Sequence, residues 1–301
     1  MIRSAADHAL QLKERTPFFG VCSAFFVLTK PGIVAAVTLS GFTGMVLAGR
    51  GLPEAGAAIS CLASLFLMAA GSALANSVLD RSTDRRMARL ALRSAALERV
   101  GTGPALLSAA LLTSAALAVA STGLNARVVL LLVAASLSYV LCYTIFLKPY
   151  THWAAVLGGL PGAIPVLIGN AAVGATPDAA TMTLFLVLLI WQPPHFWLLA
   201  LSHKTEYRAA GVPVLPLVKG DRTTRASICL CVLAQIPASL LLYCAGPCSR
   251  GYAFCSLALG CTFLLACRHY LYQSPDCRPL FKGSILYLLL LLTAIIIDLV
   301  R

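Results

Sequence analysis

Acidic side chains are scarce in this chain: there are eleven Asp and Glu among 301 residues, against twenty-three Lys and Arg. Charge of either sign is thin, at 11%, whereas a soluble domain carries about a quarter. That shortage excludes an ordinary soluble globular domain of this length. The surplus of +12 is not gathered into one stripe. Basic residues fall between apolar runs, which argues against nucleic acid as a partner and for a lipid membrane whose topology they report. Metal-type cysteine spacings are also lacking, with no CxxC pair and no Cys/His pattern for zinc. Cys61, Cys142, Cys229, Cys231, Cys261 and Cys267 lie inside apolar runs, where a thiol behaves as a small hydrophobe. Only Cys244 and Cys248, at the end of a run and just beyond it, leave a disulfide open. The apolar stretch 18–28 has no small-residue cleavage site, so the first spans are expected to serve as the targeting signal. There is no strict repeat and no separate soluble domain.

What the chain has in abundance is apolar sequence. Hydrophobic residues make up 59% of it, in runs that approach the ~20 residues needed to cross hydrocarbon. Nine such runs occur, at 31–48, 55–75, 103–120, 127–146, 153–173, 181–201, 226–244, 252–267 and 283–299. The expected fold class is all-α: a polytopic membrane protein of nine transmembrane helices. Residues 1–17 read as a polar cytoplasmic tail, and 18–301 as one intramembrane domain. The segment 18–29 is too short to span and suits an interfacial helix. Lys30-Pro31 then opens the first crossing, since proline fits a first helical turn and lysine the headgroup side. With the N-terminus inside, nineteen of the twenty-three basic residues fall on the cytoplasmic face, leaving Arg50, Arg127, Arg250 and Arg301 outside. The positive-inside rule selects that orientation.

One stretch concentrates the scarce acids. After the run 55–75 a basic polar loop is expected over 76–102, and it opens on Asn76, Asp80 and Asp84 at intervals of four, interleaved with Arg81, Arg85 and Arg89. On a helix each step of four turns by about 40° and rises about 6 Å, so the three oxygens line one face. This is the donor set of a hard cation. Mg²⁺ takes oxygen ligands and keeps waters or substrate phosphates for its remaining positions, so Asn76, Asp80 and Asp84 are candidate metal ligands. The plainer reading is a charged helix end at the water interface. Topology brings Lys148 and the loop 203–225 to the same face.

NxxxDxxxD at the cytoplasmic end of a second span, among nine, resembles the UbiA family of intramembrane prenyltransferases. Within it the chain is similar to the haem-farnesylating branch. The resemblance covers roughly residues 28–225. Its anchors are Leu28-Thr29-Lys30-Pro31, the Asn76 to Arg89 motif, Tyr143-Thr144 with Leu147-Lys148, Gly158, Gly159, Gly162, Pro165 and Gly169, and the run Trp191-Gln192-Pro193-Pro194-His195-Phe196-Trp197. Lys204, Tyr207, Gly211, Pro213, Leu215 and Pro216 continue it. The acidic motif is general to the family and signifies a prenyl diphosphate; the PPHFW run is more specific. The second aspartate-rich motif of quinone-type relatives is absent, with Phe196 and His203 near where its acids would fall. The chain departs from the branch at Gly32, Leu90, Pro149 and Ala154, which removes diphosphate or propionate contacts.

The resemblance implies transfer of a farnesyl group from farnesyl diphosphate to a vinyl group of haem b with addition of water, at a Mg²⁺ site facing the cytoplasm in a bacterial inner membrane. It also raises contact with haem A synthase or terminal oxidase assembly factors. Ionising an allylic diphosphate needs positive charge on the leaving group. Lys148, Arg81 and Arg85 are the candidates, then Lys204 and Arg208, each also explicable as a headgroup contact. Aromatic faces stabilise allylic cations, so Phe196, Trp197 and Trp191 are candidates, with packing the plainer role. Tyr143 joins the substrate-binding set. His195 is expected on haem, since imidazole is a usual haem-iron ligand and the residue follows a proline pair that should interrupt the helix. A packed, hydrogen-bonded histidine is the other reading. The glycines of the fifth span are expected to let helices approach closely or to leave clearance for a flat porphyrin. Two other functions remain open: prenylation of a quinone precursor or other aromatic acceptor, and haem binding or transport without chemistry.

Overall fold

A computed structural model describes residues 17–274 and 276–301. The expected tail lies outside the described residues except for Pro17, which opens the first helix. Every described element is helical, and among the described residues nine helices are long and apolar enough to cross a membrane. They are α2 (Pro31–Gly49), α3 (Ala55–Leu79), α6 (Thr102–Gly123), the continuous span Ala126–Leu147, the span Ala154–Ala172, α10 (Ala179–Ser202), α13 (Gly220–Cys244), α14 (Arg250–Tyr272) and α15 (Arg278–Val300). Helices are what backbone chemistry requires here, since hydrocarbon offers no partners for free N–H and C=O groups.

The starts of α3, α10 and α14 and of the span at Ala126 share the end of the bundle far from the acidic motif. Each is capped by a side chain. Glu54 accepts from Gly56 and Ala57 N–H, Asn125 from Val128, Asp178 from Thr181, and Ser249 from Gly251 and Tyr252. These backbone bonds hold the Glu54 and Asp178 carboxyls below the usual range, for Asp178 against the opposing effect of burial. The helices that start at the other end, α2, α6, α13 and α15, have no side-chain cap.

The spans pack as two groups around two apolar cores. One core joins Met45, Leu65, Met68, Leu132 and Ile168; the other joins Trp197, Leu198, Leu242, Leu288 and Leu292. Helix α2 contacts both groups, through α3 on one side and α15 on the other. Gly169 lies so close to α2 that an added Cβ would collide with the Gly41 carbonyl and the Met45 backbone. The expectation of close approach therefore holds at this glycine.

Three expectations about local structure are corrected. The region 203–225 is not one loop: it holds α11 (Lys204–Ala209), α12 (Leu215–Val218) and the first turns of α13. The region 76–102 is mostly helical, not a loop: α3 runs on to Leu79, followed by α4 (Arg81–Asp84), a 3₁₀ turn (Ala88–Leu90) and α5 (Ala91–Val100). The composition of α5, Ala, Leu, Arg and Glu, favours helix, and its Ala96 and Leu97 are buried against Ala24 and Leu28 of α1 (Pro17–Leu28). The proline pair does not break α10, which runs unbroken through Pro193 and Pro194. Gln192 braces it there: Nε2 donates to Gly159 O at 2.5 Å and to Leu188 O at 3.3 Å. The fifth span is the one that breaks, at Gly158-Gly159 between α8 (Ala154–Leu157) and α9 (Leu160–Ala172). The fourth begins as α7 (Ala126–Leu137) and widens into π turns over Ser138–Leu147.

Candidate functional site

Asp80 ends α3 and Asp84 ends α4, and the hydrogen-bond ladder survives the junction: Asp80 N–H donates to Asn76 O at 2.9 Å and Asp84 N–H to Asp80 O at 2.8 Å. The helical spacing read from the sequence is therefore realised. Both carboxylates are buried, at 6% and 2% exposure, so each needs compensation. Lys148 Nζ lies 2.5 Å from Asp80 Oδ2, and Arg93 forms an ion pair with Asp84 Oδ1.

Asn76 sits behind Asp80. Its Nδ2 donates to Asp80 Oδ2 at 3.0 Å and to Thr144 Oγ1 at 2.9 Å, while its Oδ1 accepts from Lys30 Nζ. The amide oxygen expected on a metal thus faces an ammonium. Thr144 is oriented in turn by the π turns, donating to Tyr139 O five residues back at 2.9 Å. Tyr139 accepts from Lys30 Nζ at 3.4 Å and stacks on Tyr143, with ring centroids 5.9 Å apart. Lys30 occupies the left-handed region, φ 54°. The residue is half-buried, but its ammonium is enclosed; burial first and then the Arg93 charge lower its pKa to about 7, opposed by Asp80.

Each carboxylate commits one oxygen to these contacts. The other pair, Asp80 Oδ1 and Asp84 Oδ2, has no protein hydrogen bond and is not sealed among the described residues. Two open carboxylate oxygens fit a cation that completes its shell with water or phosphate oxygen, as Mg²⁺ does. No cluster of three or more His, Cys, Asp or Glu side chains occurs among the described residues, so a cage made wholly of such groups is excluded there.

The remaining candidates separate. Arg81 is exposed, and Arg85 pairs with Glu98 at 2.8 Å. Lys204 pairs with Asp221 at 2.6 Å. Arg208 lines a surface pocket of about 250 Å³ with Tyr207, Gly211 and Leu217. The second polar region reaches the first through Arg89, whose Nη2 donates to Tyr207 Oη at 3.0 Å and whose Nε is 3.5 Å from Glu206. Met87 packs with Tyr207, Val212 and Val214 beneath this contact. Trp197 is a core side chain, 5% exposed, and Phe196 meets the edge of Tyr207 at 6.1 Å.

His195 is held between two rings, Trp191 at 4.5 Å and Phe281 at 4.7 Å. Its Nδ1 is 2.7 Å from Ser284 Oγ. That hydroxyl already donates to Phe281 O at 2.6 Å, so Nδ1–H is the donor and the lone pair lies on Nε2. Sequence reasoning gave no site role to Lys30, Arg93, Tyr139, Thr144 or Ser284. Lys30 and Thr144 carried a signal, as anchors of the resemblance, and Lys30 also as the one cation at the mouth of the first span.

A profile described as "UbiA prenyltransferase family" matches residues 36–292. The chain is a member of the UbiA prenyltransferase family. A protein of Geotalea uraniireducens (strain Rf4) called "Protoheme IX farnesyltransferase" is 47% identical over 84% of this chain and 98% of its own length. Two solved UbiA-type structures share the fold. Digeranylgeranylglyceryl phosphate synthase superposes with a TM-score of 0.75 at 16% identity, over 93% of this chain and 99% of that one. A UbiA homolog from Archaeoglobus fulgidus bound to DMAPP and Mg²⁺ gives 0.68 at 16% identity, over 90% and 98%.

Proposed function

We propose that this UbiA member transfers the farnesyl group of farnesyl diphosphate to a vinyl group of haem b, with addition of water, to give haem O. The observation that carries this reading is the near-full-length likeness to protoheme IX farnesyltransferases, and it disfavours the quinone and transport alternatives. Residues 18–301 act as a single intramembrane domain, in a bacterial inner membrane with the acidic motif facing the cytoplasm. The basic residues crowded at that end support this orientation.

The open oxygens Asp80 Oδ1 and Asp84 Oδ2 would hold Mg²⁺, which supplies charge to the departing diphosphate when bound. Metal with a prenyl diphosphate in the Archaeoglobus homolog supports that assignment. Lys148 and Arg93 neutralise the carboxylates before substrate arrives, and of the two Lys148 is the candidate to receive diphosphate oxygens. Asn76 and Thr144 orient Asp80. The Tyr139 and Tyr143 rings, stacked beside these groups, offer π faces to allylic charge. In the transfer the farnesyl C1–O bond breaks with its electron pair leaving on diphosphate, C1 bonds the terminal vinyl carbon, and water adds to the ring-side carbon and loses a proton. His195, with its lone pair on Nε2, is the candidate haem contact. Haem A synthase or oxidase assembly factors are the partners to which such a product would pass.

The test is a mass spectrum of haem extracted after the purified protein is incubated with haem b, farnesyl diphosphate and Mg²⁺, with a chelator control. Farnesylated, hydrated haem is expected only with metal, and neither Asp80→Asn nor Asp84→Asn should make it. Full turnover by either variant would remove the metal assignment; prenylation of another aromatic acceptor in place of haem would remove the acceptor.

A further inference from the structure

Beside Asp84 lies a cavity of about 10 Å³, close to the least room that holds one water. Three of the residues lining it carry buried polar atoms without a hydrogen-bond partner: Asp84 Oδ1, Arg93 Nε and Ser94 Oγ. The Arg93 guanidinium touches Asp84 Oδ1 as a charge contact, but no hydrogen bond is aligned on that oxygen. Arg93 Nε and Ser94 Oγ are left without any partner and Asp84 Oδ1 with a charge contact alone, so a small polar guest is favoured in this place.

The chemistry of the three selects the occupant. Asp84 Oδ1 accepts only, Arg93 Nε donates only, and a serine hydroxyl does both. A metal ion is repelled by Arg93 together with Arg81 and Arg85, which also line the cavity, while an anion is repelled by Asp84 and Glu98. A neutral molecule that donates and accepts satisfies all three.

We infer that one buried water bridges Asp84 Oδ1, Arg93 Nε and Ser94 Oγ, and that Arg93 and Ser94 of α5 are positioning residues for Asp84. The water fixes one carboxylate oxygen so that the other keeps its aim. This consequence rests on the metal reading of Asp84, while the water itself does not. Outer contacts of this kind set the orientation of ligating carboxylates, and losing one costs 10–100-fold in metal affinity or activity. Helix α5 thereby belongs to the site although it presents nothing to substrate.

Two experiments test it on the full chain. An experimental density map at a resolution that shows waters should hold a single peak within hydrogen-bonding reach of all three atoms; an empty cavity overturns the inference whatever the site binds. Ser94→Thr and Ser94→Val differ only in the hydroxyl. Mn²⁺ affinity, read by electron paramagnetic resonance with inorganic pyrophosphate present, should stay near wild type for Thr and weaken about tenfold for Val. Equal affinities in the two variants, whether both kept or both lost, overturn the positioning role. If Asp84→Asn binds Mn²⁺ as tightly as wild type, the metal reading fails instead, and the density map alone decides on the water.

Discussion

Lys148 Nζ and Asp80 Oδ2 meet at 2.5 Å, joining the end of the π turns to the end of α3 with side chains only 13% and 8% exposed. Removing one partner of such a pair leaves a buried charge without compensation, a loss of about 3–5 kcal/mol. Lys148→Met should therefore lower the unfolding temperature in detergent and reduce farnesyl transfer by at least 100-fold. Adding Asp80→Asn should recover much of the stability and none of the turnover. Thermal unfolding and haem mass spectrometry on the three variants check this; a stable, active Lys148→Met protein would dissolve the pairing.

His195→Ala should weaken haem association while leaving farnesyl diphosphate binding unchanged. Ser284→Ala should produce a smaller loss, because the imidazole keeps its place between Trp191 and Phe281 but loses the acceptor that fixes its tautomer. A titration followed in the haem Soret band reads both. An identical spectrum and affinity in His195→Ala would return the ring to packing alone.

Lys30 gives a pH test with a defined sign. Its folded pKa is lowered to about 7 from an ordinary value of 10.5. Between those values the unfolded chain binds the extra proton, so this group makes stability rise with pH across the window. The penalty is fully present below pH 7 and gone above 10.5. Wild type minus Lys30→Met should show that rise in unfolding temperature from pH 7 upward; parallel curves for the two proteins would show an ammonium that is freely hydrated.

Gly169→Ala tests the approach of α9 to α2. The new methyl meets the Gly41 carbonyl and the Met45 amide nitrogen, backbone atoms that cannot swing aside. Overpacking of this sort costs about 1–3 kcal/mol. Gly32→Ala, with open space around the added carbon, should change little. Equal unfolding temperatures for the two variants would contradict the close crossing.

The spans were legible because hydrocarbon imposes one rule on every segment, and apolar length follows it. Asp80, Asp84 and Lys148 were legible because acids are rare and one face gathers them. What stayed hidden depends on tertiary packing. Arg93 is nine residues past Asp84, a separation with no helical meaning until the chain turns at the 3₁₀ segment and α5 comes back. Lys30 read as a headgroup contact because nothing local distinguishes an ammonium facing lipid phosphate from one facing Asn76. Lys204 ranked after Lys148 as a phosphate contact, and Asp221 claims it. At Pro193-Pro194 the local rule for a break lost to a continuous 24-residue helix, tied there to Gly159 by Gln192.

The π turns of Ser138–Leu147 give that stretch an arithmetic of its own. Lys148 N–H reaches back five residues to Tyr143 O at 2.8 Å, as the Thr144 hydroxyl does to Tyr139 O. Residues five apart, which diverge on an α-helix, stack here, so Tyr139 with Thr144 and Tyr143 with Lys148 form two neighbouring rows only while the wide turns persist. Deleting a single residue from this stretch would let it relax to an ordinary helix and carry Lys148 away from Asp80, with every named side chain still present. The site is spelled in residue count as well as residue type, and a frame slip of one would erase it where many point substitutions would not.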